Sequence, residues 1–345
     1  MRVLVTGSAG FVGHYIVKKF VEEGNEVVGL DRLSYSGNLN RIKEILTPET
    51  EQRYTVQHHD LRSAINESLE NQLGQFDVII HVAASSHVDR SIDQPINFVL
   101  DNVVGTCHIL DFARRQKNLK TFVYFSTDEI FGPAPPGVAY DEYDRYNSTN
   151  PYSASKAGGE ELCVAFRNTY KVPVVVTHTM NIFGPRQHPE KFIPMCISKV
   201  RKGEKVFIHA DATRTIPGSR HYIHVEDVAD AVWFLVGRGK VQGEPFGLTQ
   251  SGERGQQDCP LCPKFNIVGK EELDNLTLAQ YIAEGVGKPL RYELVDFHSA
   301  RPGHDLRYAL SGARLAELGW EPKTSIRERI GEVVEWTVEN ERWCF

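Results

Sequence analysis

Equally spaced glycines follow the first apolar stretch of the chain, and a helical pattern begins directly behind them. Residues 2–6 predict a short strand, and the glycines then stand three residues apart over residues 7–13. Glycine at such places permits a tight turn and lets backbone N–H groups approach a pyrophosphate at the N-terminus of a helix. The pattern therefore predicts a strand–turn–helix unit that binds a dinucleotide. The predicted contacts are Gly7, Gly10, Phe11, Val12 and Gly13.

Short apolar stretches alternate with amphipathic ones through the first half of the chain. The alternation is typical of a parallel sheet covered by helices on both faces. We therefore predict the α/β class, with a Rossmann-like doubly wound parallel sheet. Predicted strands cover residues 2–6, 26–30, 54–58, 78–81, 121–126 and 174–179. Predicted helices there cover residues 11–23, 96–116 and 152–170.

The alternation weakens beyond residue 183. Helical patterns remain, with short strands between them, which predicts a smaller α/β substrate domain. The expected division is a dinucleotide-binding domain over 1–183, with a strand or helix exchanged with the C-terminal part, and a second domain over 184–345. The predicted helices of this half cover residues 192–202, 225–237, 276–287 and 326–340.

Composition excludes several classes of protein. The chain has 345 residues, of which 41% are hydrophobic and 24% charged, as in ordinary globular proteins. A net charge of −6 argues against nucleic acid as a partner. No apolar run reaches about 18 residues, and a strand beginning at residue 2 leaves no room for a secretory signal. With six cysteines and no such signal, we expect a cytoplasmic protein with no membrane partner.

An acidic residue stands where a dinucleotide-binding fold holds the cofactor's ribose. Asp31 follows the second predicted strand, on the order of twenty residues after the glycine turn. Its carboxylate would accept hydrogen bonds from ribose hydroxyls and repel a 2′-phosphate, which favours NAD, although the adjacent Arg32 leaves NADP open. Asp60 and Leu61 follow the third strand and either contact the adenine or form a turn capped by the aspartate. Ala83, after the fourth strand, is a further predicted cofactor contact.

A tyrosine and a lysine share one face of a predicted helix. Tyr152 and Lys156 are four residues apart, so their side chains stack. The ammonium favours the phenolate and lowers the tyrosine pKa, so that the phenolate can take a proton from a hydroxyl. Such pairs are common by chance, but here the pair follows a glycine turn, Asp31 and a strand-end Thr127.

These features together resemble the extended branch of the short-chain dehydrogenase/reductase superfamily, the NAD-dependent epimerase/dehydratase family. Within that branch, residues 125–132 (F-S-T-D-E-I-F-G) resemble the signature of the dTDP-glucose 4,6-dehydratases. Similarity extends over nearly the whole chain, including residues 31–39, 86–91, 184–194 and 301–308. The resemblance implies bound NAD, a nucleotide-diphosphate hexose as substrate, and a homodimer in which helices 96–116 and 152–170 form a four-helix bundle.

The same resemblance implies roles for five residues. Tyr152 would take the proton of the sugar's 4-hydroxyl, Thr127 would hydrogen-bond that oxygen, and Lys156 would bind the nicotinamide ribose. Loss of water requires one carboxyl to remove the C5 proton and another to protonate the departing C6 hydroxyl. We assign these tasks to Glu129 and Asp128 respectively, because two crowded carboxyls acquire unequal pKa values. The alternative is that both acids merely begin a solvated loop.

Eight further residues are implied to bind the substrate. Arg220 would hold the diphosphate, a task that suits a guanidinium, and Asn266 would also face phosphate. The family's R-x-S-N-x-Y-G-P run is altered here at His178, Met180 and Phe183, which puts the fine placement of the sugar in doubt. The predicted substrate contacts are His87, Asn181, Glu190, Lys191, Arg220, Asn266, Arg301 and His304.

Extra residues between Phe246 and Asn266 carry Cys259 and Cys262. A C-x-x-C pair can be half of a zinc site, but no second pair follows at a suitable spacing. We favour a surface loop with two thiols and predict no metal.

Competing functions stay open at this point. The main prediction is conversion of dTDP-glucose to the 4-keto-6-deoxy sugar, and the same reaction on UDP-glucose is an alternative, since one methyl group separates the two bases. A 4-epimerase or a decarboxylase is disfavoured by Asp128. A non-catalytic NAD-binding regulator is disfavoured because Tyr152 and Lys156 are both present.

Overall fold

The computed structural model describes residues 1–241, 261–296 and 306–344. The chain divides into two compact units. Unit 1 comprises Met1–Thr127, Pro151–His178 and the described part of Ala229–Phe265. Unit 2 comprises Asp128–Asn150, Thr179–Val228 and the described part of Asn266–Phe345. The division differs from a single boundary at residue 183, because the long connection at 128–150 belongs to unit 2 and the chain returns to unit 1 after residue 228.

The strands lie where the apolar stretches predicted them. All six predicted in the first half match to within one residue at each end, and the strand predicted over 121–126 extends one residue further to include Thr127, a predicted site residue. The strands are β1 (Arg2–Thr6), β2 (Glu26–Asp31), β3 (Tyr54–His58), β4 (Val78–His81), β5 (Thr121–Thr127), β6 (Val174–Thr179), β7 (Asn181–Phe183), β8 (Val206–Ala210), β9 (Ser219–His224), β10 (Lys264–Ile267), β11 (Glu272–Asp274) and β12 (Tyr292–Asp296).

The helices also follow the predicted pattern, with one exception. Residues 96–116 do not form one uninterrupted α-helix, since the π-helical turn Leu100–Val104 divides it. The described α-helices are α1 (Phe11–Glu22), α2 (Asn40–Ile45), α3 (Pro48–Glu51), α4 (Glu67–Leu73), α5 (Val88–Asp93), α6 (Pro95–Val99), α7 (Gly105–Ala113), α8 (Pro151–Tyr170), α9 (Phe192–Lys202), α10 (Val225–Val241), α11 (Asn275–Val286), α12 (Ala313–Glu317) and α13 (Ile326–Glu339).

A seven-stranded sheet has the order β3-β2-β1-β4-β5-β6-β10. The pairs β1–β2, β1–β4, β2–β3 and β4–β5 are all parallel. Strands β4 and β5 are buried along their whole length, as expected for a parallel sheet covered on both faces. The first six strands have the order of a doubly wound dinucleotide-binding sheet, in which ligands bind at the carboxyl ends of the strands. The predicted fold class is confirmed.

Unit 2 is built on two small sheets. In the first, β9 pairs with β7 in parallel and with β11 in antiparallel orientation, and in the second β8 pairs with β12. Apolar side chains of α9, α11 and α13 pack into one core with these strands. Side chains cap two of these helices: Asp274 accepts from the first backbone N–H groups of α11, and Ser325 with Glu328 forms a capping box on α13. No described helix has the length and apolar character needed to cross a membrane.

Candidate active site

The glycine turn requires glycine because another backbone segment lies directly against it. Gly7 has a φ of +70°, and a Cβ there would lie 2.8 Å from both Cα and N of Ala83. A Cβ on Gly13 would collide with the carbonyl oxygen of Gly7. At the N-terminus of α1, Gly10 is the N-cap residue and has no side chain to satisfy the first N–H groups of the helix. This geometry fits a pyrophosphate, and Ala83, a predicted cofactor contact, lies against the turn.

Asp31 is held at the end of β2 beside this turn. One carboxylate oxygen accepts from Ala9 N at 2.9 Å and the other from Leu33 N at 2.7 Å. Asp31 is buried, so its two backbone partners hold the carboxylate in one orientation at the carboxyl end of the sheet. A carboxylate fixed there fits the ribose hydroxyls of NAD.

Asp60 caps a turn, which is one of the two alternatives for this residue. Its side chain accepts from Arg62 N at 2.9 Å, and Leu61 is buried in the core of unit 1. The Leu61 carbonyl oxygen is hydrogen-bonded to Nδ1 of His108 at 2.7 Å. Contact of either residue with adenine stays a prediction.

Tyr152 and Lys156 lie on the first turns of α8, and both are buried. The Tyr152 ring meets Phe98 edge-on, with 6.3 Å between the ring centroids. The Lys156 ammonium lies 4.3 Å from the centroid of the Tyr124 ring, a cation–π contact. Burial lowers the pKa of Lys156 to about 8, while the charge of Glu160 one helical turn further on acts in the opposite direction. Lys156 follows Tyr152 by one helical turn in α8.

The π-helical turn holds a residue that the sequence motifs did not reveal. Asn102 is buried, and its amide donates to Ser85 O at 3.0 Å and to Ser155 Oγ at 2.9 Å, while its oxygen accepts from Ser85 N at 2.9 Å. Ser155 Oγ in turn donates to Tyr152 O at 2.7 Å. Asn102 thus ties the connection after β4 to the helix that carries Tyr152. A π-turn interrupting an α-helix is frequent at functional sites.

A buried ionic cluster lies further along α8. Glu160 is wholly buried, and its carboxylate forms an ion pair with Lys264 Nζ at 2.8 Å. Both carboxylate oxygens lie 3.2 Å from Nε2 of His178. Burial alone would raise the pKa of Glu160, but the charges and hydrogen bonds of His178 and Lys264 overcome it and hold that pKa well below its ordinary value. His178 is therefore a buried partner of Glu160 inside unit 1.

The two acids open unit 2. Asp128 and Glu129 begin the 3₁₀ turn Asp128–Phe131, directly after β5 in the chain. Asn150 donates to Glu129 Oε2 at 3.0 Å. Burial and the charge of Asp128 raise the pKa of Glu129 to about 7, against the opposing charges of Arg220 and Lys191. Asp128 is only 5% exposed and Glu129 is half-buried, so the two acids do not begin a solvated loop.

Two predicted substrate contacts have backbone partners of their own. Arg220 donates from Nη1 to Leu306 O at 2.7 Å, and its guanidinium carbon lies 4.5 Å from the centroid of the Tyr308 ring. Asn266 is fully buried, and its amide donates to Tyr140 O at 3.1 Å and to Ser311 O at 3.0 Å. Since both amide hydrogens are engaged, this geometry favours a structural role for Asn266 over the predicted phosphate contact.

The other predicted substrate residues are placed as follows. Asn181 is exposed at the start of β7, and Lys191 is the N-cap residue of α9. Glu190 Oε1 lies 3.5 Å from Nδ1 of His188. His87 is the N-cap of α5, where its Nδ1 accepts from Arg90 N at 3.4 Å. Arg301 and His304 lie outside the described residues.

The segment that carries the two acids is anchored within unit 2. Arg307 donates to Pro135 O at 2.7 Å and to Val138 O at 2.6 Å, while the same guanidinium forms a bidentate pair with Glu272. Glu142, also buried, accepts from Asn266 N at 2.9 Å. Arg307 and Glu142 were not predicted as site residues, because their partners are backbone groups that no side-chain motif reports.

Cys262 corrects the prediction of a surface loop with two thiols. It is buried in the core of unit 1, immediately before β10, and burial raises the pKa of its thiol to about 12. Its side chain packs among the apolar side chains of that core, next to the buried strand β10. Cys259 and the rest of the insertion to residue 260 lie outside the described residues. Within the described part of the chain, no group of three or more potential metal ligands occurs.

Comparison with known proteins places the chain among sugar-nucleotide dehydratases. The family model described as GDP-mannose 4,6 dehydratase matches residues 4–333. A dTDP-glucose 4,6-dehydratase of Salmonella typhimurium is 34% identical, covering 99% of this chain and 94% of the relative. A probable dTDP-glucose 4,6-dehydratase of Sinorhizobium fredii is 35% identical over the same shares. The crystal structure of DesIV, a dTDP-glucose 4,6-dehydratase from Streptomyces venezuelae with NAD and TYD bound, is 31% identical with a TM-score of 0.83, covering 99% of this chain and 98% of that one.

Proposed function

The chain belongs to the GDP-mannose 4,6 dehydratase family, within the extended short-chain dehydrogenases/reductases, and from that premise we propose that it is an NAD-dependent dTDP-glucose 4,6-dehydratase. The observation that carries this proposal is the pair Asp128 and Glu129, in which the Glu129 pKa of about 7 lets the carboxyl exchange a proton near neutrality. A 4-epimerase has no need of such a pair, because it moves no proton at C5.

The first step removes the sugar's 4-hydroxyl proton. Tyr152 takes that proton, assisted by the buried charge of Lys156, and Thr127 at the end of β5 hydrogen-bonds the same oxygen. When bound, NAD would supply the redox chemistry of the reaction, the exchange of a hydride with the sugar. Asp31 and the glycine turn hold the dinucleotide at its ribose and pyrophosphate.

Elimination of water follows once C4 is a ketone. The ketone acidifies the C5 proton. Glu129 removes it in the form of the acid pair in which the shared proton lies on Asp128, and Asp128 delivers that proton to the departing C6 hydroxyl. A pKa near 7 suits Glu129, because it is ionised in part at neutral pH and the proton it gains can be returned to C5 after C6 has been reduced. Asn150 holds the carboxyl through Oε2 while this exchange occurs.

Arg220 and Lys191 are the cations that we propose for the substrate's diphosphate. Both act on the Glu129 charge within unit 2, so they lie near the acid pair. A guanidinium suits bidentate binding of phosphate oxygens. Asn181, which is exposed, and Glu190 are proposed to contact the sugar, and His87 stays a predicted contact from unit 1.

The test is turnover on a panel of dTDP-, UDP-, CDP- and GDP-glucose, followed by mass spectrometry. A 4,6-dehydratase yields a product lighter by one water, whereas an epimerase or a non-catalytic binding protein leaves the mass unchanged. We expect dTDP-glucose to have the highest kcat/KM, with UDP-glucose within about 10- to 200-fold, because one methyl in a pocket is worth only about 1–3 kcal/mol. Unchanged mass with all four sugars contradicts the proposal.

We also propose a cytoplasmic homodimer. Ile96 on α6 is 70% exposed and Val99 is 44% exposed, so apolar side chains point outward from one of the two helices expected in a four-helix bundle. A second copy would cover them together with α8. Light scattering should give twice the mass of the chain, and a monomeric mass contradicts this part of the proposal.

A further inference from the structure

Arg32, the residue after Asp31, forms a bidentate ion pair with Asp101. Its Nη1 donates to Asp101 Oδ1 at 2.7 Å and its Nη2 to Asp101 Oδ2 at 2.9 Å. Both hydrogen-bonding arms of the guanidinium are thus directed at one carboxylate. The Asp101 side chain is only 7% exposed, and that of Arg32 is 27% exposed.

Asp101 also binds a second arginine and a serine. Arg62 donates from Nε to Oδ1 at 2.6 Å, and Ser85 donates from Oγ to Oδ2 at 2.6 Å. Asp60 lies 3.6 Å from Arg32, so two arginines are matched by two carboxylates. Although burial opposes it, the hydrogen bonds from Arg62, Arg32 and Ser85 lower the pKa of Asp101, which keeps it ionised at neutral pH.

An arginine beside the ribose acid is the group by which dinucleotide-binding folds accept the 2′-phosphate of NADP. Bidentate binding of phosphate uses paired N–H donors of the kind that Arg32 gives to Asp101. Because these donors already bind the Asp101 carboxylate, they are withheld from a phosphate, and the carboxylate cancels the positive charge of Arg32. The position of Arg32 next to Asp31 therefore does not imply affinity for NADP.

We propose that Asp101 is a specificity-determining residue for the cofactor: by holding Arg32 and Arg62, it withholds both cations from a 2′-phosphate and so supports selection of NAD. The inference rests on the proposed function to the extent that a dinucleotide binds here. It assigns to the π-helical turn, where Asp101 is the second residue, a part in cofactor choice. Asp31 repels the 2′-phosphate independently, so the two acids act additively.

The test is a competition between cofactors. Purified holoenzyme is incubated with equal, large excesses of NAD and NADP, freed of unbound nucleotide by gel filtration and denatured, and the released dinucleotides are quantified by mass spectrometry. Asp101→Asn keeps the shape and removes the charge, so we expect the NADP/NAD ratio to rise about tenfold, the order of a charge-assisted hydrogen bond. Asp101→Asn combined with Arg32→Leu should return the ratio toward that of the wild type.

Asp77→Asn is the matched control. Asp77 pairs with Lys120 at 2.7 Å and directly precedes β4, so it lies at the amino ends of the strands, opposite the end at which the dinucleotide is proposed to bind. This variant should leave the ratio unchanged. Ser85→Ala, which removes one hydrogen bond from Asp101, is a milder variant in case Asp101→Asn fails to fold, and it should raise the ratio by a smaller factor. An unchanged ratio in folded Asp101→Asn, or in Ser85→Ala if only that variant folds, overturns the inference. Wild-type protein that releases no dinucleotide overturns the proposed function instead.

Discussion

Two glutamates, one in each unit, are shifted in opposite directions. Glu160 in unit 1 is completely buried, yet its pKa lies well below the ordinary value because Lys264 and His178 stabilise the charge against the cost of burial. Glu129 in unit 2 is less buried, yet its pKa rises to about 7, because burial and the charge of Asp128 both oppose ionisation. Burial acts to raise the pKa of both carboxyls, and only the partners of Glu160 are strong enough to reverse the direction.

The difference separates a structural carboxylate, Glu160, from Glu129, the carboxylate that we propose to be catalytic. A permanently ionised Glu160 adds a fixed negative charge near Lys156, which supports the ammonium that the Tyr152 chemistry needs. Glu129 holds its proton loosely near neutral pH and can serve as a base. In the proposed reaction, hydride transfer would use groups of unit 1 and the elimination would use groups of unit 2.

Tyr152→Phe should have the largest effect. Without the phenol there is no base for the 4-hydroxyl, so we expect kcat to fall by about 10²- to 10⁴-fold, the usual contribution of a general base. Single-turnover absorbance at the NADH band should show no reduction of the cofactor. Turnover above a tenth of the wild-type rate would show that the base lies elsewhere.

Glu129→Gln should separate the two halves of the reaction. Cofactor reduction should still occur in one burst, because Tyr152 and Lys156 are untouched, whereas formation of the 4-keto-6-deoxy product should fall by about 10²-fold or more. The measurement pairs NADH absorbance with mass spectrometry of the sugar nucleotide. Normal product formation by this variant would assign the C5 proton to another residue.

Glu160→Gln should mainly destabilise the fold. Removing one partner of a buried ionic cluster leaves Lys264 without its carboxylate, at a cost of about 3–5 kcal/mol in the free energy of unfolding. Urea denaturation measures this loss, and Glu129→Gln is the control, expected to lose far less. In folded Glu160→Gln, loss of the opposing charge should also move the basic limb of the pH–rate profile, set by Lys156, to lower pH. Equal stability of the two variants would contradict the contrast drawn between them.

The pH dependence of stability should be the smallest effect. Because the folded pKa of Glu129 is about 7 and its ordinary value is 4.5, the folded state keeps a proton that the unfolded chain has released. The contribution of this residue is therefore lost as pH rises from 4.5 to 7, by at most about 3 kcal/mol. Relative to wild type, Glu129→Gln should lose this slope and Asp128→Asn should reduce it. The check is urea unfolding at pH 5, 6 and 7, analysed as differences between variants.

Much of this architecture could be predicted from the order of the residues. Apolar stretches located β1 to β6, and the glycine spacing identified the dinucleotide turn, because both depend on local rules of burial and backbone geometry. Tyr152 and Lys156 followed from helical spacing, and Asp128 and Glu129 from a short motif. The interrupted helix at 100–104 and the buried Cys262 were not foreseen, since neither has a distinctive local pattern.

The sequence by itself determined the fold class, the cofactor turn and the identity of the chemical groups, because periodicity and motif spacing are properties of neighbouring residues. Only the tertiary structure decided their electrostatic state. His178, Glu160 and Lys264 come from three separate segments, as do Arg32, Arg62 and Asp101. A pKa or an ion pair depends on distance in space, and residues far apart in the chain acquire that distance only when the sheet assembles.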